Sequence, residues 1–168
     1  MAIVNLIFLV VALVVIFYLL LRPLIQGAVF FPTRPESVEA LVALANEKNA
    51  KLVADLGSGD GRIVIALAAA GMEAHGYEVN PVLVYLSRQR IKALGLEKKA
   101  FIHWESFWKK DFSQFDAVVV YGFPYIMKSL GKKLKKELKR GTIVLSNIYV
   151  FPDWVSQRKE KGIRLYLM

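Results

Sequence analysis

The chain has 168 residues, of which 55% are hydrophobic, and its formal net charge is +9. This length suits one domain, and the apolar content excludes a disordered chain. The absence of cysteine excludes a disulfide scaffold or a thiolate metal site, and the two isolated histidines, His75 and His103, form no metal-binding pattern.

The first predicted element is a membrane span. Residues 2–21 contain 19 apolar residues and one Asn. Twenty helical residues, at about 1.5 Å each, cover about 30 Å, which matches the hydrocarbon core of a bilayer. A cleaved signal peptide is the competing interpretation, but such peptides have a charged start and a shorter apolar core. We therefore expect residues 1–22 to form a transmembrane anchor.

The remaining chain divides into a linker, residues 23–35, and a folded domain, residues 36–168. The first basic residues, Arg22 and Arg34, lie on the carboxyl side of the predicted anchor. Because basic residues stay on the cytoplasmic side of a span, a single-pass protein with its domain in the cytoplasm, or in the matrix of an organelle, is expected.

From residue 36 onward, predicted helices and strands alternate. Helices are predicted over 37–49, 62–71, 80–95 and 125–140. Strands are predicted over 51–56, 74–79, 101–104, 115–121 and 142–149, and a hairpin is predicted after residue 154. This alternation is typical of an α/β fold with a doubly wound, mostly parallel sheet.

The predicted helix over 125–140 concentrates the positive charge, with seven basic residues and one acidic residue. Ile126, Leu130, Leu134 and Leu138 recur every four residues, which is typical of an amphipathic helix. Its lysines could form an ordinary solvated face, or they could contact anionic lipid headgroups. Nucleic-acid binding is a weaker third interpretation, because no aromatic residues alternate with the basic ones.

The strongest chemical signal is the stretch DLGSGDGR, residues 55–62, between a strand and a helix. Its three glycines let the backbone turn tightly and approach a ligand closely. Glu78 ends the next strand, where an acidic side chain can accept both hydroxyls of a ribose. The spacing is G-x-G-x-G rather than the dinucleotide G-x-G-x-x-G. Asp55 would repel a pyrophosphate and attract an ammonium group, which favours S-adenosylmethionine as the cofactor.

DLGSGDGRIVIALAAAG and GYEVNPVLVYLSRQR resemble seven-strand S-adenosylmethionine-dependent methyltransferases, specifically the small membrane-anchored protein lysine methyltransferases. Mitochondrial members of that family modify the adenine nucleotide translocase and the ATP synthase c-subunit. The resemblance covers residues 32–155 and includes YGFPYIM and FPDW. It implies a seven-strand Rossmann-like sheet and a cofactor site formed by Asp55, Gly57, Ser58, Gly59, Asp60 and Gly61, by Glu78, Val79 and Asn80, and by Glu105, Ser106 and Phe107.

Two departures from the family pattern affect the predicted site. The family has Asp-Leu-Trp after the third strand, whereas this chain has Ser106, Phe107 and Trp108, with Glu105 one residue early. The residue that contacts adenine is therefore not assigned. Ile148 and Val150 stand where the family has Arg and Pro, so the placement of the substrate is also open.

The candidate transfer site lies after the fourth strand and contains Tyr121, Gly122, Pro124 and Tyr125. This stretch resembles the N-P-P-Y element of amine methyltransferases, with Gly in place of Asn. A sulfonium is already an activated leaving group, so aligning a neutral amine and excluding water can suffice. Phe123 and Tyr125 could instead be core or helix-start residues, and Trp154 could close the pocket or simply pack.

Three functions remain open from the sequence. The first is a membrane-anchored protein lysine N-methyltransferase that acts on membrane proteins. The second is a methyltransferase of a small or lipid-like molecule, such as a quinone or a lipid headgroup. The third, a non-catalytic module, is disfavoured by the intact glycine loop and Glu78.

Overall fold

The computed structural model describes residues 1–26, 31–122 and 124–168. Part of the predicted linker, residues 27–30, and Phe123 lie outside the described residues. The chain begins with helix α1, Ala2–Gln26. Within the described ranges no helix is long and apolar enough to cross a membrane, and the span predicted over residues 2–21 is not shown.

The rest of the described chain alternates as the sequence predicts. The helices are α2, Pro35–Glu47; α3, Arg62–Ala69; α4, Pro81–Ala93; and α5, Pro124–Glu137. The strands are β1, Leu52–Leu56; β2, Glu73–Glu78; β3, Ala100–Trp104; β4, Ala117–Val120; β5, Ile143–Asn147; β6, Arg158–Glu160; and β7, Ile163–Leu167. Each predicted element from residue 37 onward is present, with ends shifted by a few residues.

These strands form one sheet in the order β3-β2-β1-β4-β5-β7-β6. The first five strands pair in parallel, and β7 pairs antiparallel with both β5 and β6. The predicted seven-strand, mostly parallel sheet and its terminal hairpin are therefore confirmed. Strand order reverses between β1 and β4, and ligands of such sheets bind beyond the carboxyl ends of the strands at that reversal.

Helices cover both faces of the sheet. On one face, apolar residues of α2, α3 and α4 pack against alternate strand residues such as Val53, Ala74 and Ile102. On the other face, Met127, Leu130 and Leu134 of α5 pack with an aromatic cluster formed by Tyr77, Phe107, Phe112, Phe115, Phe151 and Tyr166. The amphipathic pattern predicted for α5 is confirmed, because its leucines are buried and most of its lysines are exposed.

The two histidines lie in neighbouring strands of the sheet. The rings of His75 in β2 and His103 in β3 are nearly parallel, with centroids 5.2 Å apart, and His75 Nδ1 lies 3.0 Å from His103 Nε2. Burial and the nearby His75 lower the pKa of His103. Both histidines are strand residues, as the sequence predicts.

Candidate functional site

The candidate site begins at the glycine loop between β1 and α3. Gly57, Gly59 and Gly61 all have positive φ, at 82°, 55° and 79°. The backbone N–H groups of Gly57 and Ser58 donate to the Tyr77 carbonyl at 2.9 and 3.1 Å. The loop is therefore anchored on the carboxyl end of β2, at the reversal of strand order.

Glu78 joins this loop to the next one. Its Oε2 accepts the N–H of Gly59 at 2.9 Å, and its Oε1 accepts those of Val79 and Asn80 at 2.8 Å. Since a carboxylate offers about four acceptor positions, Oε2 retains capacity for a further donor such as a ribose hydroxyl. The side chain of Asn80 caps α4 by accepting the N–H of Val82 at 3.0 Å. These contacts hold the end of β2 in one conformation.

Asp55 is the most unusual group of the site. Its side chain is buried at the end of β1, and Oδ2 has no hydrogen-bond partner among the described residues. Burial, reinforced by the carboxylates of Glu78 and Asp60, raises the pKa of Asp55 to about 8. Ser58 Oγ is also buried, and it has no hydrogen-bond partner in the part of the chain that the structure describes. Because unpaired buried polar groups are rare in folded proteins, these two atoms indicate a ligand with polar or cationic groups.

Asp60 has a different environment from Asp55. Its carboxylate accepts hydrogen bonds from Arg62 at 2.8 and 2.9 Å and from Arg90 at 2.6 Å. Burial alone would raise the pKa of Asp60, but these two guanidinium groups outweigh it and lower that pKa to about 2. The Asp60 carboxylate therefore ties the loop to α3 and α4, whereas the Asp55 carboxyl is left available to a ligand.

The segment that precedes α2 also contacts this site, through Thr33. Arg62 Nη1 donates to the Thr33 carbonyl at 2.9 Å, and Asn147 Nδ2 donates to Thr33 Oγ1 at 3.3 Å. Thr33 thus links the glycine-loop helix to the end of β5. The sequence resemblance starts in this segment, and the hydrogen bonds of Thr33 hold the segment against α3 and β5.

The predicted adenine-side residues have mixed placements. Glu105 is exposed, and its backbone N–H donates to the Glu78 carbonyl at 3.1 Å. Ser106 is half-buried beside it. The Phe107 side chain is buried in the aromatic cluster below the sheet. The backbone at 105–107 is therefore next to the site, while the Phe107 ring belongs to the core.

The predicted transfer residues lie at the end of β4 and the start of α5. Tyr121 is half-buried, and burial raises the pKa of its phenol. Gly122 is buried, with room limited by Ile126 and Met127, each of which would lie 3.0 Å from an added Cβ. Pro124 and Tyr125 form the exposed first turn of α5, so Tyr125 is a helix-start residue and not a core residue.

Tyr149 was not predicted from the sequence, yet it lies beside Tyr121. Their rings are stacked with centroids 6.3 Å apart. The preceding residue, Ile148, has φ of 65°, an uncommon value for a β-branched residue. That turn is held because Ile148 N–H donates to the Gly162 carbonyl at 3.0 Å and Ser146 Oγ donates to the Tyr149 carbonyl at 2.6 Å. Strained turns of this kind concentrate at functional sites.

Gly76 is a second residue that sequence reasoning missed. An added Cβ there would lie 2.5 Å from Ser58 Oγ and 2.8 Å from Ile102 Cδ1. The available signal was a glycine in the middle of a predicted strand, which often marks a close approach of another backbone. Trp154 stacks on Phe151 with centroids 4.2 Å apart and contacts Tyr166 edge-on, so it packs against the aromatic cluster.

Comparisons with known proteins find relatives of this chain. Residues 55–158 match the family described as the ANTKMT methyltransferase domain. The chain is 43% identical over 125 residues to the ATP synthase C-subunit lysine N-methyltransferase of Rattus norvegicus, covering 74% of this chain and 57% of that protein. It is 37% identical over 118 residues to the adenine nucleotide translocase lysine N-methyltransferase of Mus musculus, covering 70% of this chain and 51% of that protein.

Two further relatives match over more of their own length. A protein-lysine N-methyltransferase of Saccharolobus islandicus is 31% identical over 127 residues, covering 74% of this chain and 79% of that protein. The crystal structure of an RNA methyltransferase from Salinibacter ruber with S-adenosyl-L-homocysteine superposes with a TM-score of 0.74 at 30% identity, covering 82% of this chain and 92% of that one. The chain spans about half the length of the eukaryotic relatives named above.

Proposed function

Because the chain belongs to the ANTKMT methyltransferase domain family, we propose that it is an S-adenosylmethionine-dependent protein lysine N-methyltransferase. The observation that carries the proposal is the glycine loop held between two buried acidic side chains, Asp55 and Glu78, at the reversal of strand order. Protein substrates are named for three of its relatives, which supports a protein substrate here.

The residues present fit S-adenosylmethionine, which supplies an activated methyl group on a sulfonium. Asp55 Oδ2 and Ser58 Oγ, both buried and unpaired, would receive the ammonium and carboxylate of its amino-acid part. Glu78 Oε2 would accept a ribose hydroxyl. Val79 and Asn80 would continue the ribose side, and the backbone at Glu105 and Ser106 would lie on the adenine side. Nothing in this set would favour a pyrophosphate, because two acidic side chains face the loop.

The target lysine would bind at the carboxyl ends of β4 and β5. Burial raises the pKa of the Tyr121 phenol, which stays neutral, and the Tyr149 ring stacks beside it. Aromatic faces attract an ammonium or methylammonium group, and the backbone carbonyls at Tyr121 and Gly122 can accept its hydrogens. The residues of this chain therefore orient the amine and limit water, which is what an in-line methyl transfer requires.

Membrane association forms a second part of the proposal. The large apolar side chains of α1 from Ile3 to Tyr18 are exposed by half to three-quarters. So much exposed apolar surface marks a site that contacts a membrane or another apolar partner. We propose that α1 holds the enzyme at a membrane, with its domain on the cytoplasmic or matrix side.

Alkaline washing of membranes tests this membrane association. The full chain should stay in the membrane pellet, and its recovery in the wash would contradict the proposal.

Replacing Glu78 by Gln should weaken the binding of S-adenosyl-L-homocysteine by about ten- to a hundredfold. An amide offers one oxygen where the carboxylate offers two, so a backbone N–H or a ribose hydroxyl loses its acceptor. Isothermal titration calorimetry on the full chain in detergent micelles measures the change. Glu73→Gln, at the exposed start of the same strand, is the matched control and should bind normally. Equal affinities in the two variants would remove Glu78 from the site.

The substrate class is tested by incubating membranes and cytosol with the full chain and methyl-labelled S-adenosylmethionine. We expect label in protein, on lysine, and none with the Glu78→Gln variant. Label only in the lipid extract would favour the alternative of a quinone or lipid methyltransferase. Label only in RNA would favour the activity named for the Salinibacter ruber protein.

A further inference from the structure

A small groove lies between α5 and the segment Phe151–Trp154. It encloses about 70 Å³. Gly131 makes this groove possible, because an added Cβ would lie 3.1 Å from Phe151 Cδ1 and 3.4 Å from Trp154 Nε1. The two stacked rings therefore rest directly against the backbone of α5 and form an aromatic floor.

Three lysines of α5 form one wall of the groove. Lys128, Lys132 and Lys135 lie four and three residues apart, so they share one face of the helix. Lys135 Nζ lies 5.9 Å from the centre of the Trp154 ring. Within the described part of the chain, Lys128 and Lys132 have no ion pair or hydrogen bond. Only the exposed Asp153 brings negative charge to the groove lining.

Lys133, on another face of α5, has charged and polar partners. Lys133 points away from the groove, pairs with Glu137 and donates to the Lys110 carbonyl at 2.6 Å. In the described part of the chain Lys133 is thus paired, whereas Lys128 and Lys132 at the groove, like the exposed Lys136 outside it, have no ion pair or hydrogen bond. A cluster of unpaired cations over an aromatic floor is electrostatically complementary to a carboxylate.

The position of the groove connects it to the proposed transfer site. Lys128 lies four residues after Pro124, which is about 6 Å along the helix, and Lys135 lies about 16 Å from Pro124. An extended peptide covers about 3.4 Å per residue. A peptide whose target lysine lies at Pro124, the start of α5, would therefore reach the groove about two to five residues from that lysine.

We propose that this groove binds an acidic segment of the protein substrate, close in sequence to the lysine that is methylated. The inference rests on the proposed function and names a recognition element for it. A glutamate or aspartate would place its carboxylate between the lysine ammonium groups and its methylene stem against Trp154. A concave site with an aromatic floor fits a side chain, whereas a lipid surface would meet the exposed lysines without entering the groove.

The test uses a fluorescein-labelled hexaglutamate peptide and the full chain in detergent micelles at low salt. We expect Lys128→Glu/Lys132→Glu to weaken binding at least tenfold, measured by fluorescence anisotropy. Lys139→Glu/Arg140→Glu is the matched control, because both residues are exposed at the end of the same charged stretch and the change in net charge is identical. The control should retain affinity within about twofold to threefold. Equal losses of peptide affinity in the two double variants would mean that only the net charge matters. That result would overturn the proposal that the groove binds the acidic segment.

Two further measurements separate the possible failures. Vesicles containing phosphatidylserine are tested against the same variants, and groove-dependent binding to vesicles without binding to the peptide would overturn the acidic-segment proposal in favour of lipid. Affinity for S-adenosyl-L-homocysteine should be the same in both double variants. If the wild-type chain does not bind S-adenosyl-L-homocysteine, the proposed function fails; if it does, but does not bind the peptide, only this inference fails.

Discussion

Replacing Asp55 by Asn should stabilise the cofactor-free protein and at the same time weaken cofactor binding. In the folded chain, burial and two nearby carboxylates raise the pKa of Asp55 from 3.8 to about 8. The folded state therefore retains a proton that the unfolded state releases. The stability associated with this group is fully present below pH 3.8 and is lost as the pH rises toward 8. Because Asn cannot ionise, the variant does not lose stability at this position as the pH rises.

The size of the effect follows from the pKa difference. One pKa unit corresponds to about 1.4 kcal/mol, so the stability advantage of the variant should grow by about 4 kcal/mol between pH 5 and pH 8. For a chain of this length, that is a widening of the Tm difference on the order of 10 °C. Thermal unfolding of the full chain in detergent at the two pH values measures it. Asp153→Asn, which replaces an exposed carboxylate, should show no such trend.

Cofactor binding should change in the opposite direction. An ammonium group next to Asp55 requires the ionised carboxylate, so wild-type affinity for S-adenosyl-L-homocysteine should rise as the pH approaches 8, and binding near pH 7 should release nearly one proton. In Asp55→Asn the affinity should be about ten- to a hundredfold lower and independent of pH over this range. Calorimetry in two buffers of different ionisation enthalpy detects the released proton. A variant with wild-type affinity and the same pH profile would exclude Asp55 from the site.

Gly61→Ala should destabilise the protein by about 3 kcal/mol and weaken cofactor binding. Two causes add. Gly61 has φ of 79°, which costs an L-residue about 1 kcal/mol, and an added Cβ would lie 2.7 Å from Ser87 Cβ in α4. Neither carbon is the end of a flexible chain, so α3, α4 or the loop must shift, at about 2 kcal/mol. The same shift would move the Gly61 N–H, which donates to the Ser58 carbonyl at 2.9 Å.

Two variants separate these causes. Gly57→Ala has a similar φ, 82°, with no atom within 4 Å of the added Cβ, so it should show the conformational cost alone. Gly61→Ala/Ser87→Gly removes the clash, because the next atoms, Ser87 Cα and Ile102 Cδ1, are 3.6 and 3.7 Å away. A double-mutant cycle on Tm should give a favourable coupling of about 1 to 3 kcal/mol. Additive effects at residues 61 and 87 would show that the close approach is unimportant.

Much of the fold could be predicted because its signals are local. Alternating patterns located the α-helices and strands that the structure describes beyond the linker, and Asn80 and Pro81 marked the start of α4 as capping chemistry requires. The glycine loop was also a local signal, because glycine adopts positive φ most readily and residues 57, 59 and 61 all have it. Glu78 was located because the acidic residue ends the strand after the loop.

The differences between residues of one type could not be read from the sequence. Asp55 and Asp60 lie five residues apart, yet one carboxyl has a raised pKa and the other a lowered one. Burial raises the pKa of Asp55, whereas Arg62 and also Arg90, which lies 30 residues later in α4, donate to Asp60 and lower its pKa. Likewise, the sequence could not assign Phe107 to the core or Tyr149 to the mouth of the site, because both placements depend on how distant strands pair.

The sequence by itself determined a basic, apolar chain with an α/β domain, a cofactor loop and a lysine-covered helix, because composition, periodicity and turn chemistry act over neighbouring residues. Only the tertiary structure decided how that charge is divided. On α5 it pairs Lys133 with Glu137 and leaves Lys128 and Lys132 beside Trp154, because packing of the segment after β5 against Gly131 creates the groove. Part of the excess positive charge of the chain thus lines a groove close to the proposed transfer site.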